Sequence, residues 1–304
     1  KEESDDKEES DDKEESDDDE VNTEEYGDLN ELTETNMREL MQTLNNDSDD
    51  SLSNDSLDSS LLERDHRHIQ YCELENFPVQ VNCMELCNST LDELLDGDYD
   101  MSSLEWKSIL FQVCFGLSVA QKHFKFVHND LHSSNLMFTE TDKEFLYFKF
   151  KSKYFKIPTF GKIKKIIDFG RATFNIKDKI FFSDVFKSNG DADGQYSYPY
   201  NNTLKNCKVL PNFSFDLSRL STTIIENFDE ENEEYHDIIK LLTLWATDKY
   251  GNCLFLQNDD FDLYKIIARN VISAVPKNQI NKMIFKLFLV EKDDIPKDEY
   301  IYIY

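Results

Sequence analysis

Two short stretches of this chain gather residues able to do chemistry: HNDLHSSN at 128–135 and IIDFGRA at 166–172. The first places His128, Asp130, His132 and Asn135 within eight positions, and the second sets Asp168 between an apolar run and Phe169-Gly170. A carboxylate can take a proton from an alcohol, and an imidazole can do so near neutral pH. Carboxylate and amide oxygens also suit hard divalent cations.

Residues this far apart meet only if regular elements carry them. Upstream, SSLEWKSILFQVCFGLSVAQKH (102–123) has apolar side chains at Leu104, Ile109, Leu110, Val113, Leu117 and Ala120, which is helical spacing. Ser102 and Glu105 form a capping-box signature at its start. Between the two motifs, EFLYFKFKSKYFKIPTFGKIKKII (144–167) is β-prone around a Lys151-Ser152-Lys153 turn. We read it as an extended hairpin between the strands that flank the site. Its seven lysines could form a nucleic-acid patch or a solvated hairpin face, and the second is the expectation. Downstream, FSFDLSRLSTTII (213–225), HDIIKLLTLWA and FDLYKIIARNVISAV have helical patterns, with Trp245 expected in the core.

The ordered pair His-x-Asp-x-x-x-x-Asn and Asp-Phe-Gly, with a helix before and strands between, resembles the catalytic and metal-binding loops of the protein-kinase-like superfamily. The resemblance implies an α+β, bilobal protein-kinase-like fold with a mostly helical C-lobe. It implies that Asp130 orients the attacking hydroxyl and that Asn135 and Asp168 hold Mg2+ on the ATP phosphates. His128 would brace the loop, and Gly170 would give the turn after Asp168 its backbone freedom. FPVQVNCMELCNSTLDELL (77–95) then resembles the last small-lobe strand, the hinge and a short helix. Met84 would be the gatekeeper, Glu85 to Cys87 would meet the adenine edge, and Met137 would lie beneath the ring; both methionines could equally be ordinary core. Asp216 would anchor the catalytic loop from below, although an Asp there is also an ordinary N-cap. The hairpin followed by IPTFGKIKKIIDFGRA is similar to serine/threonine kinases of giant DNA viruses, a closer resemblance that covers about 77–304.

Several positions depart from that pattern. Asn129 stands where the family carries Arg, so the usual partner of an activation-loop phosphate is missing. His132 stands in place of a Lys near the γ-phosphate, as in atypical and small-molecule kinases. No Ala-Pro-Glu closes the activation segment, where Tyr196, Tyr198 and Tyr200 are exposed-loop candidates. No Gly-rich loop and no strand Lys with a helix Glu is visible, so we expect a fragment whose first N-lobe strands lie upstream.

The first sixty residues hold 25 acidic and 4 basic side chains, a net −21 of the chain's −29. KEESDD repeats through residues 1–18, and so little apolar surface cannot offset chain entropy. We therefore divide the chain into a disordered acidic segment (1–60), an N-lobe remnant with hinge (61–87) and a C-lobe (88–304). A weak helix is expected over 24–44, and Ser16, followed by three Asp, would suit an acid-directed kinase. The six cysteines (72, 83, 87, 114, 207, 253) show no zinc spacing, which fits reduced thiols in a soluble intracellular protein. No apolar run is long enough to span a bilayer.

The expected function is an ATP- and Mg2+-dependent serine/threonine kinase. Its expected partners are ATP and a protein substrate, with neither membrane nor nucleic acid. The alternatives are a pseudokinase or scaffold, a small-molecule kinase of the aminoglycoside phosphotransferase type, and an acidic interaction protein acting through residues 1–60.

Overall fold

Ser102 opens the longest helix among the described residues by accepting the Glu105 backbone N–H (3.2 Å), and Lys125 closes it in a left-handed conformation with φ 52°. The computed structural model describes residues 78, 81–97, 99–177, 179–197, 209–255 and 261–304. The chain divides into two units, Lys1–Val79 and Gln80–Tyr304, and every element named below belongs to the second. The acidic segment, Ser16 and the expected helix over 24–44 lie outside the described residues, as do Tyr198 and Tyr200.

Six helices are described: α1 (Leu91–Asp96), α2 (Ser103–Phe124), α3 (Phe215–Ile224), α4 (His236–Trp245), α5 (Phe261–Asn270) and α6 (Pro276–Gln279). The strands are β1 (Ser89–Thr90), β2 (Leu136–Glu140), β3 (Phe145–Phe150), β4 (Lys153–Pro158), β5 (Lys162–Ile166), β6 (Phe174–Ile176), β7 (Lys179–Phe181), β8 (Leu289–Val290) and β9 (Ile301–Ile303). They form three sheets: β1-β2-β5, β8-β4-β3-β9 and the ribbon β6-β7.

Helix α2 is the spine of the core. Ile109, Leu110, Phe111, Val113, Cys114 and Leu117 are buried along it, as the periodicity requires, while Leu104 at its first turn is exposed. Only half of the expected capping box forms. The Glu105 side chain turns away from the cap, accepting from the Tyr99 hydroxyl (2.8 Å) and pairing with Lys162 (3.3 Å). Phe111 meets the rings of Phe155 (4.9 Å), Phe148 (5.4 Å) and Phe285 (5.5 Å), which fastens the β3-β4 hairpin onto α2. Full burial of one such side chain contributes roughly 2–3 kcal/mol.

The reading of 144–167 as one extended hairpin is corrected in detail. β3 and β4 pair as expected, but they form the middle of a separate four-stranded sheet, with β9 running parallel to β3. β5 alone returns to pair with β2. A β-branched and aromatic strand pair with one apolar face is stable only when that face is covered, and α2 covers it. The solvated-face expectation also needs revision. Lys162 is held by buried Glu105, and half-buried Lys164 lies over the Phe138 ring at 5.1 Å. Burial lowers the Lys164 pKa to about 8.

Helices α3, α4 and α5 follow their sequence patterns. Trp245 is fully buried and donates its indole N–H to Gln279 (3.0 Å). No helix among the described residues is long and apolar enough to cross a membrane.

Candidate active site

The catalytic-loop motif follows α2 directly and is held from below by α3. Asp216 is fully buried in the first turn of α3, and its carboxylate accepts the backbone N–H groups of His128 and Asn129, each at 3.0 Å. It is therefore not the N-cap, a position occupied by Ser214. Burial pushes the Asp216 carboxyl up, and the His128 ring and the two N–H groups oppose that shift.

His128 is buried and bonds to the Ile167 carbonyl through Nε2 (2.7 Å). A carbonyl only accepts, so Nε2 carries the proton, and Nδ1 is free to accept the Asp130 N–H (3.3 Å). The ring thus ties the 128–135 loop to the residue before Asp168. A second tie runs from the Ile167 N–H to the Asn135 carbonyl (3.1 Å). Together they bring the 128–135 and 166–172 motifs side by side.

Asn135 donates its side-chain amide to the Asp130 carbonyl (2.9 Å) and to His132 Nε2 (3.0 Å). With both bonds made through Nδ2, its Oδ1 is the atom left for a cation. The half-buried His132 ring accepts here and is neutral. Its pKa is lowered first by burial, with Asp130 opposing and Arg219 assisting. Asp168 has a left-handed backbone (φ 58°, ψ 73°), and its exposed carboxylate accepts the Gly170 N–H (3.2 Å). The exposed Asp168 carboxylate and the amide oxygen of buried Asn135 are oxygen donors of the kind Mg2+ takes, one or two from protein with waters completing the shell. Among the described residues, no group of three or more His, Cys, Asp or Glu is placed to hold a metal ion.

The role expected of Gly170 is corrected. The left-handed residue is Asp168, and Gly170 is absent from the positive-φ positions. A Cβ at Gly170 would instead approach Asp168 Oδ1 to 3.1 Å, so the glycine serves close approach to that carboxylate. Phe169, between them, is 54% exposed and leans on His128 (5.6 Å between ring centroids).

Of the strand and hinge expected at the start of 77–95, the described residues 81–87 carry no strand, while 77, 79 and 80 lie outside the described residues. Among the described residues no strand pairs with 81–87, residues 81–86 are exposed, and the Cys87 thiol donates weakly to the Glu85 carbonyl (4.0 Å). Met84 is 75% exposed, Cys87 is half-buried, and Glu85 pairs with Lys165 (2.8 Å). Met137 lies half-buried on β2, in register with Thr90 and Lys165. The structure thus places Met137 and Lys165 on one sheet face and joins Lys165 to residues 81–87 through Glu85.

Four contributors were not legible as site residues. Asn129 is fully buried. It donates to the carbonyls of Val127 (3.2 Å) and Arg171 (2.9 Å) and accepts the Tyr196 hydroxyl (2.7 Å). Tyr196, expected in an exposed loop, is buried. Tyr264 on α5 donates its hydroxyl to Asp130 Oδ1 (2.6 Å), while Arg171 Nε stands 3.7 Å from Asp130 Oδ2. The only sequence hint was Arg171, adjacent to the Asp-Phe-Gly. Nothing local in DLYK announces a contact 134 positions away.

No protein-family model matches the chain. It is 38% identical over 81 residues to the serine/threonine-protein kinase haspin homolog of Arabidopsis thaliana, covering 27% of this chain and 14% of that protein. It is 31% identical over 94 residues to the serine/threonine-protein kinase haspin of Bos taurus, covering 31% of this chain and 12% of that protein. The Drosophila melanogaster haspin homolog is 28% identical over 99 residues, 32% of this chain and 18% of that protein. The aligned stretches are thus less than a fifth of each relative's length. These likenesses support a protein-kinase-like family and a serine/threonine-kinase-like enzyme.

Proposed function

We propose that this protein is an ATP- and Mg2+-dependent serine/threonine protein kinase. One observation carries the reading. The loop bearing Asp130 and Asn135 is braced by Asp216 and tied to the Asp168 turn by the His128–Ile167 and Ile167–Asn135 bonds. Phosphoryl transfer asks a protein chiefly to position an alcohol and to neutralise charge, and such a braced loop pair supplies both.

Asp130 takes the role of orienting the acceptor hydroxyl and receiving its proton. Asn135 Oδ1 and the Asp168 carboxylate hold the cation, which when bound neutralises charge spreading over the phosphates. The open backbone at Glu85 to Cys87, with Met84 before it and Met137 across the sheet, takes the adenine. His132 acts on the metal ligand: accepting the Asn135 amide, it turns Oδ1 toward the cation. Residues 61–87 and 88–304 correspond to the end of an N-lobe and a C-lobe, and the likeness of 77–304 to kinases of giant DNA viruses belongs to the same reading.

The test is transfer of radiolabel from ATP to peptide by the full-length protein. Asp168→Ala abolishes it if the assignment holds. Undiminished transfer by that variant removes the assignment.

A further inference from the structure

The two oxygens of an aspartate are equivalent and its χ2 torsion is broad, so a contact from elsewhere must choose the plane in which the carboxylate faces the acceptor. Here the loop itself contributes nothing to that choice. The Asp130 backbone N–H and carbonyl are taken by His128 and Asn135, and neither bond touches the carboxylate. The carboxylate is met instead by α5. Tyr264 donates to Oδ1 at 2.6 Å, a length typical of a strong O–H···O⁻ bond.

Tyr264 is itself fixed from several sides. Arg219 Nε donates to the phenol oxygen (3.1 Å), and the Arg219 guanidinium lies 5.1 Å from the ring centroid. The ring also packs on Phe215 (5.8 Å) and Phe261 (6.1 Å). A phenol that accepts from a guanidinium becomes a better donor, because chained hydrogen bonds polarise one another. Burial raises the Tyr264 pKa, and the bond to Asp130 adds to the rise while Arg219 opposes it. The phenol therefore keeps its proton at neutral pH and remains a donor. Arg171 stands 3.7 Å from Oδ2, beyond good hydrogen-bond length, and leaves that oxygen able to accept.

We infer that Tyr264 is the positioning residue of the candidate base, holding Asp130 Oδ1 through its phenol so that Oδ2 is presented to the acceptor alcohol. The inference rests on the phosphotransfer reading above and adds a residue to it. It also explains how a loop with Asn at 129 keeps an oriented carboxylate. The carboxylate is held by helix α5 through Tyr264.

The experiment is a double-mutant cycle in the full-length protein with radiolabelled ATP and a degenerate Ser/Thr peptide mixture. Tyr264→Phe removes the donor and keeps the ring. It should lower kcat roughly tenfold to a hundredfold, since a slightly misplaced reacting group costs about that much, and leave the KM for ATP unchanged. In an Asp130→Asn background the same change should add almost nothing, because the group it positions is gone. A merely structural role would lower activity equally in both backgrounds, and that additivity overturns the inference. So does an unchanged kcat. A raised kcat/KM for peptide also overturns it, by showing that Tyr264 competes with the acceptor. If the parent transfers no label, the phosphotransfer reading has failed; if Asp130→Asn and Asp168→Ala both leave transfer intact, the assignment of this site has failed; neither result turns on the pairing.

Discussion

The Tyr196 hydroxyl donates to Asn129 Oδ1 at 2.7 Å inside the protein, where both side chains are buried. Asn129 spends its amide hydrogens on the Val127 and Arg171 carbonyls, so one side chain joins three segments: the approach to the catalytic loop, the turn after Asp168 and the segment around Tyr196. An Arg at this position would need an anionic partner; the shorter amide needs only neutral ones. The backbone bridge between Val127 and Thr173 (2.9 and 2.8 Å) closes the same junction.

This latch predicts a graded loss of stability. Tyr196→Phe removes one neutral bond and should cost about 1 kcal/mol in urea unfolding. Asn129→Asp is nearly isosteric but points a buried carboxylate at two carbonyls. It should cost about 3 kcal/mol or more. Equal midpoints for Asn129→Asp and the parent would show that the latch carries no weight.

Gly170 makes a sharper prediction, because its reason is contact rather than backbone conformation. A methyl group there sits 3.1 Å from Asp168 Oδ1, so the carboxylate must shift by a few tenths of an ångström. Gly170→Ala should therefore lower phosphotransfer on the order of tenfold or more, with the loss relieved at raised Mg2+. The melting temperature should change little, since the turn is exposed. Unaltered Mg2+ dependence would refute the contact argument.

His132 predicts a pH dependence with a definite sign. Burial lowers its pKa below the ordinary value of 6.5, so between the two values the unfolded chain binds more protons than the folded one. Its contribution to stability is complete above 6.5 and is lost as pH falls through the depressed value. The protonated ring can no longer accept the Asn135 amide, so transfer should decline over the same window. His132→Gln should reduce the fall in urea midpoint between about pH 7.5 and pH 5. Parallel slopes for the two proteins would exclude this histidine as the titrating group.

Much of the scaffold was legible because its signals are short-ranged. The spacing along 102–123 and the cap at Ser102 specify α2 within a residue or so, since a helix is built from contacts three and four positions apart. The same holds for the buried helix carrying Asp216 and for the order of the two motifs. The strand expected at the start of 77–95 was less legible, and its described part, from residue 81, carries no strand. A strand is defined by its neighbours, and the local pattern cannot say whether a neighbour is there.

By itself, then, the sequence determined which oxygen-bearing side chains sit in two adjoining loops and which helices carry them. The tertiary structure decided what those side chains do with their second partners. It set Tyr264 on Asp130 across 134 positions, closed Asn129 onto Tyr196, and turned Lys162 toward buried Glu105 when composition placed it on a solvated face. Bonds between distant segments depend on how helices and sheets pack, and packing is a property of the whole core that no local window of residues contains.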